Sequence, residues 1–345
     1  MTPATSARPP VLAPVARASS RRGVVYMVAA TTSWGISTAA NKATLDRTHM
    51  RPLTQHALQL ALSVTVLATV TAARGRLPSR RAWRRGATGL LEPGASYVIG
   101  LVGLSMTAAT HASIIGALEP ALVVIGAWML LRERVSAAAA MLTGLTLVGA
   151  LTVVTDGSGG GRGEASALGD VLLVVSVACA AAYVMVSSRR ARSAAPVTAA
   201  LSQQVWALGL ALPCLAVSVS AVGLGPLPRG RGWLLLAVAA VLSYVLPFAL
   251  YLTALESLPA PVAARFLSLI PVAGMLGAAL VLGERVGMRS LGGAGLVVAT
   301  LYLLARSDTP RRVAAETGPH GPCRPGRTAL SAGRLLARWP RTARR

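Results

Sequence analysis

The chain has 345 residues, 54% of them hydrophobic and only 13% charged, with a mean hydropathy of +0.60. A soluble domain carries about 25% charged residues, so this composition excludes a soluble enzyme, a disordered chain and a disulfide-stapled secreted protein, and indicates an integral membrane protein. The net charge of +23 would suit a nucleic acid only on a basic soluble face. Here the arginines lie between apolar runs and in the tails, as membrane anchors do, so a lipid bilayer is the expected partner and nucleic acid is not.

Crossing about 30 Å of hydrocarbon takes about 20 apolar residues. In chain order the candidate runs are 24–43, 54–73, 87–106, 111–131, 137–155, 168–187, 198–222, 232–254, 259–281 and 288–305. They are too long for strands and do not alternate, and only a helix satisfies its own backbone in lipid. The expected fold is an all-α integral membrane protein of ten transmembrane helices. Arg21 and Arg22 precede the first run as in a signal peptide, but the run is longer than the 7–15 residues of such a segment and reads as the first span.

With the N-terminus inside, the inside segments carry 25 Lys and Arg residues and the outside segments 8, with Arg265 alone inside a helix. This asymmetry predicts that both termini are cytoplasmic. Residues 1–23 form the N-terminal tail and 306–345 a basic, disordered cytoplasmic tail.

The Gly-rich linker at 156–167 divides the runs five and five, giving one repeat over 24–155 and another over 168–305. A shift of 151 residues lays LRERVS at 131–136 on LGERVG at 282–287 and Pro120 on Pro271; 112–145 and 263–296 share 11 identities in 34 positions. Five being odd, the copies enter the membrane in opposite directions. Inverted repeats are the architecture of many secondary transporters, with the substrate site between the halves near the midplane.

Trp34-Gly35, Glu119-Pro120 with the downstream LRERV, and SLIPV at 268–272 with LGERV resemble the EamA family of the drug/metabolite transporter superfamily. The likeness covers about 24–305, with departures at Arg132, where the second copy has Gly283, and at Ile270, where the first has Glu119. The resemblance implies a ten-helix plasma-membrane carrier, commonly an exporter of amino acids, metabolites or drugs that uses no ATP.

No phosphate-binding P-loop is present and the four histidines lack ligand spacing, so no cofactor, metal or enzymatic activity is expected. The informative residues are ionisable groups inside spans, because each costs about 2.5–3.5 kcal/mol at the bilayer centre. Glu119 and Arg265 lie on helices related by the repeat. Arg265 would grip a substrate carboxylate or pair with Glu119, and Glu119 would carry a proton; a static ion pair is the alternative. His111 is a second candidate for proton coupling or a satisfied interfacial histidine.

Trp34, Tyr97, Tyr183 and Tyr244 are candidates for an aromatic cavity, or for packing. Glu92 is either an interfacial partner of loop arginines or a cavity residue. Gln55, His56 and Gln59, with Gln203 and Gln204, read as hydrogen-bonding glue between helices. Pro120 and Pro271 mark helix bends. Glu133-Arg134 and Glu284-Arg285 sit in short loops and read as caps of the helices that follow. The expected function is secondary active export of a small molecule by alternating access, by a monomer or homodimer. The alternatives are a facilitator or importer, or a membrane scaffold with a basic tail.

Overall fold

The computed structural model describes residues 21–75, 77–131, 166–188, 195–258, 266–267, 269–284 and 286–307, with scattered positions between 137 and 149. Most of the run at 137–155, most of the linker, and residues 1–20 and 308–345 lie outside the described residues. Among the described residues every regular element is helical. The helices are α1 (Arg21–Thr48), α2 (Pro52–Ala73), α3 (Arg80–Ser105), α4 (Ala109–Gly116), α5 (Glu119–Leu131), α6 (Ala167–Ser188), α7 (Pro196–Val222), α8 (Arg231–Ser257), α9 (Leu269–Leu282) and α10 (Met288–Ser307). The fourth predicted run is thus two helices, α4 and α5.

Five helices (α2, α3, α6, α7 and α8) are long and apolar enough to cross a membrane. α1 is longer still, at 28 residues, yet too polar for a lipid-facing span: Thr31, Ser33, Ser37, Asn41, Lys42 and Thr44 are all buried. Its polar stretch from Thr31 to Thr44 packs among neighbouring helices, whereas Val25, Tyr26 and Val28 near its start are exposed, and its hydroxyls are satisfied locally or by neighbours. The Thr31 hydroxyl donates to the Met27 carbonyl (3.0 Å), Thr44 to Ala40 (2.8 Å) and Ser33 across to Leu242 of α8 (2.8 Å).

The packing repeats the sequence. α1 packs on α8 and α9, while α6 packs on α3, α4 and α5, and α2 packs on α7. Exchanging the halves, so that α1 becomes α6, α2 becomes α7, α3 becomes α8 and α4–α5 becomes α9, maps this set of contacts onto itself. Each half therefore lends its first helix to the other.

Both α3 and α8 also contain a π turn, at Leu91–Ala95 and Val241–Val245, 150 residues apart and so within one residue of the sequence repeat. In α3 the cause is Pro93. The residue before a proline is driven from helical to extended backbone, and Glu92 accordingly sits at φ −143°, ψ 126°.

Pro120 and Pro271 each stand in the first turn of a helix, α5 and α9. The missing N–H costs nothing there, and the fixed φ suits a helix start. The bend expected at Pro120 is a full break, with turn residues Ala117 and Leu118 between α4 and α5.

Small residues set the closest helix approach. A Cβ placed on Gly35 of α1 would lie 2.5 Å from the Ala273 Cβ and 2.5 Å from the Ile270 carbonyl of α9. Close packing of this kind binds helices where lipid supplies no hydrophobic drive.

Glu284 joins the halves at one end of the bundle. α9 ends at Gly283, in the left-handed conformation (φ 67°) that glycine adopts at little cost. The next residue turns its carboxylate to the start of α4, accepting from Ala109 N (3.0 Å), Thr110 N (2.8 Å) and Thr110 Oγ1 (2.6 Å). Ala108, at the N-cap of α4, has no capping side chain, so Glu284 supplies both the missing acceptor and a charge that suits the helix dipole. The sequence reading had Glu284 capping the helix that follows it; the structure has it capping a helix of the opposite half. Glu133, Arg134 and Arg285 of the same motif lie outside the described residues.

Two stability predictions follow from these contacts, both read as unfolding temperature in detergent. Gly35→Val overpacks the α1–α9 crossing and lowers stability by about 1–3 kcal/mol, whereas Gly209→Ala, whose added methyl meets nothing within 4 Å, leaves it unchanged or slightly raised. Glu284→Ala uncaps α4 and costs about 1–2 kcal/mol.

Candidate functional site

A cavity of about 190 Å³ lies in the middle of the bundle, bounded by α1, α3, α4, α5, α6, α8 and α9. α1 presents Trp34, Ser37 and Asn41 to it and α6 presents Val177, Ala180 and Val184, the same i, i+3, i+7 stripe from the two exchanged helices. Three pairs related by the 151-residue shift contribute both members to the lining: Gly100 with Tyr251, Gly116 with Leu267, and Glu119 with Ile270. The cavity thus sits where the two repeats meet.

Its chemistry is not symmetric. Both carboxyls, Glu92 and Glu119, come from the first repeat, as does Asn41, while the positions of the second repeat that match the two carboxyls are Ser243 and Ile270. Glu92 reaches the cavity because the backbone breaks at Pro93 and leaves the helical path there. Glu119 reaches it as the first residue of α5, after the break at 117–118. Neither carboxyl has an ion-pairing or hydrogen-bonding partner among the described residues. Four aromatic side chains complete the wall: Trp34, Tyr97, Tyr183 and Tyr251. Trp34 is held edge-on against Phe248 (centroids 5.3 Å) and tilted against Tyr251 (5.4 Å).

Behind Tyr97 lies a second, fully enclosed layer of polar groups. The π turn of α8 loosens its backbone carbonyls, and three side chains from three other helices take them. Ser33 donates to the Leu242 carbonyl at 2.8 Å, Tyr97 to Ser243 at 3.4 Å and Gln204 to Tyr244 at 2.7 Å. Asn41 of α1 then ties in α2 and α8. Its Nδ2 donates to Ser243 Oγ (2.9 Å), and its Oδ1 accepts from Gln59 Nε2 (2.9 Å) and Gln55 Nε2 (3.2 Å). Ser63 donates to Gln204 Oε1, and Gln203 Nε2 donates to Thr88 Oγ1 (3.3 Å) and to the Tyr183 hydroxyl (3.2 Å). The glutamines therefore link helices, and through Asn41, Tyr97 and Tyr183 they fix the cavity wall.

Of the residues singled out from sequence, Trp34, Tyr97, Glu119 and Tyr183 line the cavity. Tyr244 does not. It lies inside the π turn, fully buried behind Tyr97 (centroids 4.9 Å), with its hydroxyl 2.7 Å from His56 Nδ1. Arg265 lies outside the described residues. His111 is not in the lining: it is fully buried, with Nδ1 3.4 Å from Asp170 Oδ2, and Thr107 Oγ1 donates to Asp170 Oδ1 at 2.8 Å.

This group pins the start of α4 to the start of α6, beside the Glu284 cap. Leu45, Leu101, Leu104, Ala109 and Ala278 pack together at the same end, closing the cavity where α3 gives way to α4. Sequence reasoning passed over Asp170, Asn41 and Tyr251. Asp170 and Asn41 carry a signal that could have found them, as polar residues inside or at the edge of apolar runs.

The sequence pattern of the EamA-like transporter family matches residues 21–155 and again 167–306. No curated protein matches the sequence. A solved crystal structure is similar over 85% of this chain and 98% of its own, with a TM-score of 0.59 at 19% identity, a likeness of fold alone. With the family pattern present twice, on the two repeats that meet at the cavity, the chain belongs to the EamA-like transporter family and is a multi-pass membrane protein.

Proposed function

We propose that the chain is a secondary active transporter of the plasma membrane that exports a small molecule by alternating access, with both termini in the cytoplasm. In this reading ten helices form two five-helix repeats of opposite orientation, and the cavity between them is the substrate site. The observation that carries it is the lining, to which both repeats contribute and in which three repeat-related pairs take part, as suits a site on a pseudo-two-fold axis.

The closed end supports the same reading. Glu284, His111 and Asp170 hold contacts between elements, and rocking one half against the other would break them, so they act as an outer gate. Glu119 is the proton carrier of this scheme: a carboxyl in the cavity with no fixed partner can exchange a proton for substrate. His111, held against Asp170 away from the lining, serves the gate instead.

Reconstituted into proteoliposomes with an imposed pH gradient, the protein drives flux of at least one compound from a panel of labelled amino acids, amines and drugs. Glu119→Gln removes the dependence on the gradient. Flux indifferent to the gradient in the unaltered protein identifies a facilitator instead. Deleting 306–345 leaves transport intact, whereas a scaffold acting through that tail would lose its function.

A further inference from the structure

We propose that the central cavity binds a small amphipathic organic cation, an amine or quaternary ammonium group on an apolar or aromatic body. This rests on the cavity being the transport site and names the class of substrate it takes.

The charge of the lining carries the argument first. Glu92 and Glu119 line one cavity of about 190 Å³ that is open on part of its boundary, and find no cationic partner among the described residues. The described lining contains no lysine or arginine. Lys42, the one lysine of the chain, is not in the lining: its Nζ donates to the carbonyl of the lining residue Leu104 (3.3 Å) and lies 3.4 Å from Asp46 Oδ1. An ionised carboxylate at such a site repels an anion and attracts a cation more strongly than in bulk water, because screening is weaker there, and a bound cation is what favours its ionised form. A substrate with a free carboxylate would face that repulsion, and a neutral one would leave both acidic groups without a partner.

The shape and character of the walls carry it second. Trp34, Tyr97, Tyr183 and Tyr251 surround the space, and ring faces within about 6 Å attract ammonium groups. The second repeat contributes Val177, Ala180, Val184, Leu267 and Ile270, with Ser176 among them, a mostly apolar surface beside the two carboxyls. A ligand that satisfies both sides has a charged end for Glu92 and Glu119 and an apolar body for α6 and α9. The volume admits one small ring with a short side chain.

The test is equilibrium dialysis of labelled phenethylamine with the purified full-length protein in detergent, competed by three ligands of the same outline: phenethyl alcohol, 3-phenylpropionate and phenylalanine. The expected result is saturable binding of the amine, with the neutral, anionic and zwitterionic compounds at least tenfold weaker. Glu92→Gln and Glu119→Gln, which keep side-chain shape, each weaken amine binding tenfold or more while the protein remains folded by its unfolding temperature.

Equal or tighter binding of the anion or zwitterion overturns the proposal, as does absence of amine binding at millimolar concentration. Flux in proteoliposomes separates this outcome from the transport reading. Amine binding without flux of any compound leaves the cation site standing and removes the transporter, whereas flux of anionic compounds with no amine binding does the reverse.

Discussion

Inside a bilayer a loosened backbone carbonyl has no water to turn to, and the π turn at Val241–Val245 loosens several at once. Their capture by Ser33, Tyr97 and Gln204 is the constraint on which the rest of the bundle depends. Those three donors belong to α1, α3 and α7, so one irregular turn sets the distance of three helices from α8. It also orients the residues next to the donors: Trp34 follows Ser33, and Tyr97 is itself a wall of the cavity. Structural and functional polar groups thus adjoin, with Asn41 belonging to both: it bonds Gln55, Gln59 and Ser243 on one side and lines the cavity with Glu92 and Glu119 on the other.

The duplicated fold keeps its pattern of helix packing while its cavity lining has become unlike in the two copies. Repeat-related helices keep their packing partners, the π turns of α3 and α8, and the initial prolines of α5 and α9. At the lining, by contrast, Glu119 is opposed by Ile270, and Gly100 by Tyr251. Packing constrains both copies equally, since each exchanged helix must fit the same surface. The lining faces empty space, so substitutions there change what is bound without disturbing what is packed.

Much of this organisation was legible in the sequence, for reasons that are physical. Apolar runs report spans because lipid demands them, and the shared Pro and Glu-Arg-Val report the duplication because backbone geometry at helix starts and loop ends tolerates few residues. What was not legible depends on long-range placement. Glu284 was expected to serve the helix that follows it and instead reaches Ala109 and Thr110 in the other half. Tyr244 was expected in the cavity, but it falls within a π turn, which no hydrophobic period reveals, and faces His56. Asp170 gained its meaning only once α6 was seen to start beside Thr107 and His111. α1 showed the opposite effect: its polar content weakened it as a lipid-facing span, and that content reflects its place at the centre.

The exchange of first helices also orders events during synthesis. α1 leaves the ribosome first, yet its principal neighbours, α8 and α9, end at residues 257 and 282. At ribosomal speeds of about 5–20 residues per second, α1 waits on the order of 10 to 50 seconds for the surfaces that receive Ser33 and Asn41. The nascent chain must shelter a polar helix through that interval, and the first repeat made alone would have no place to put it.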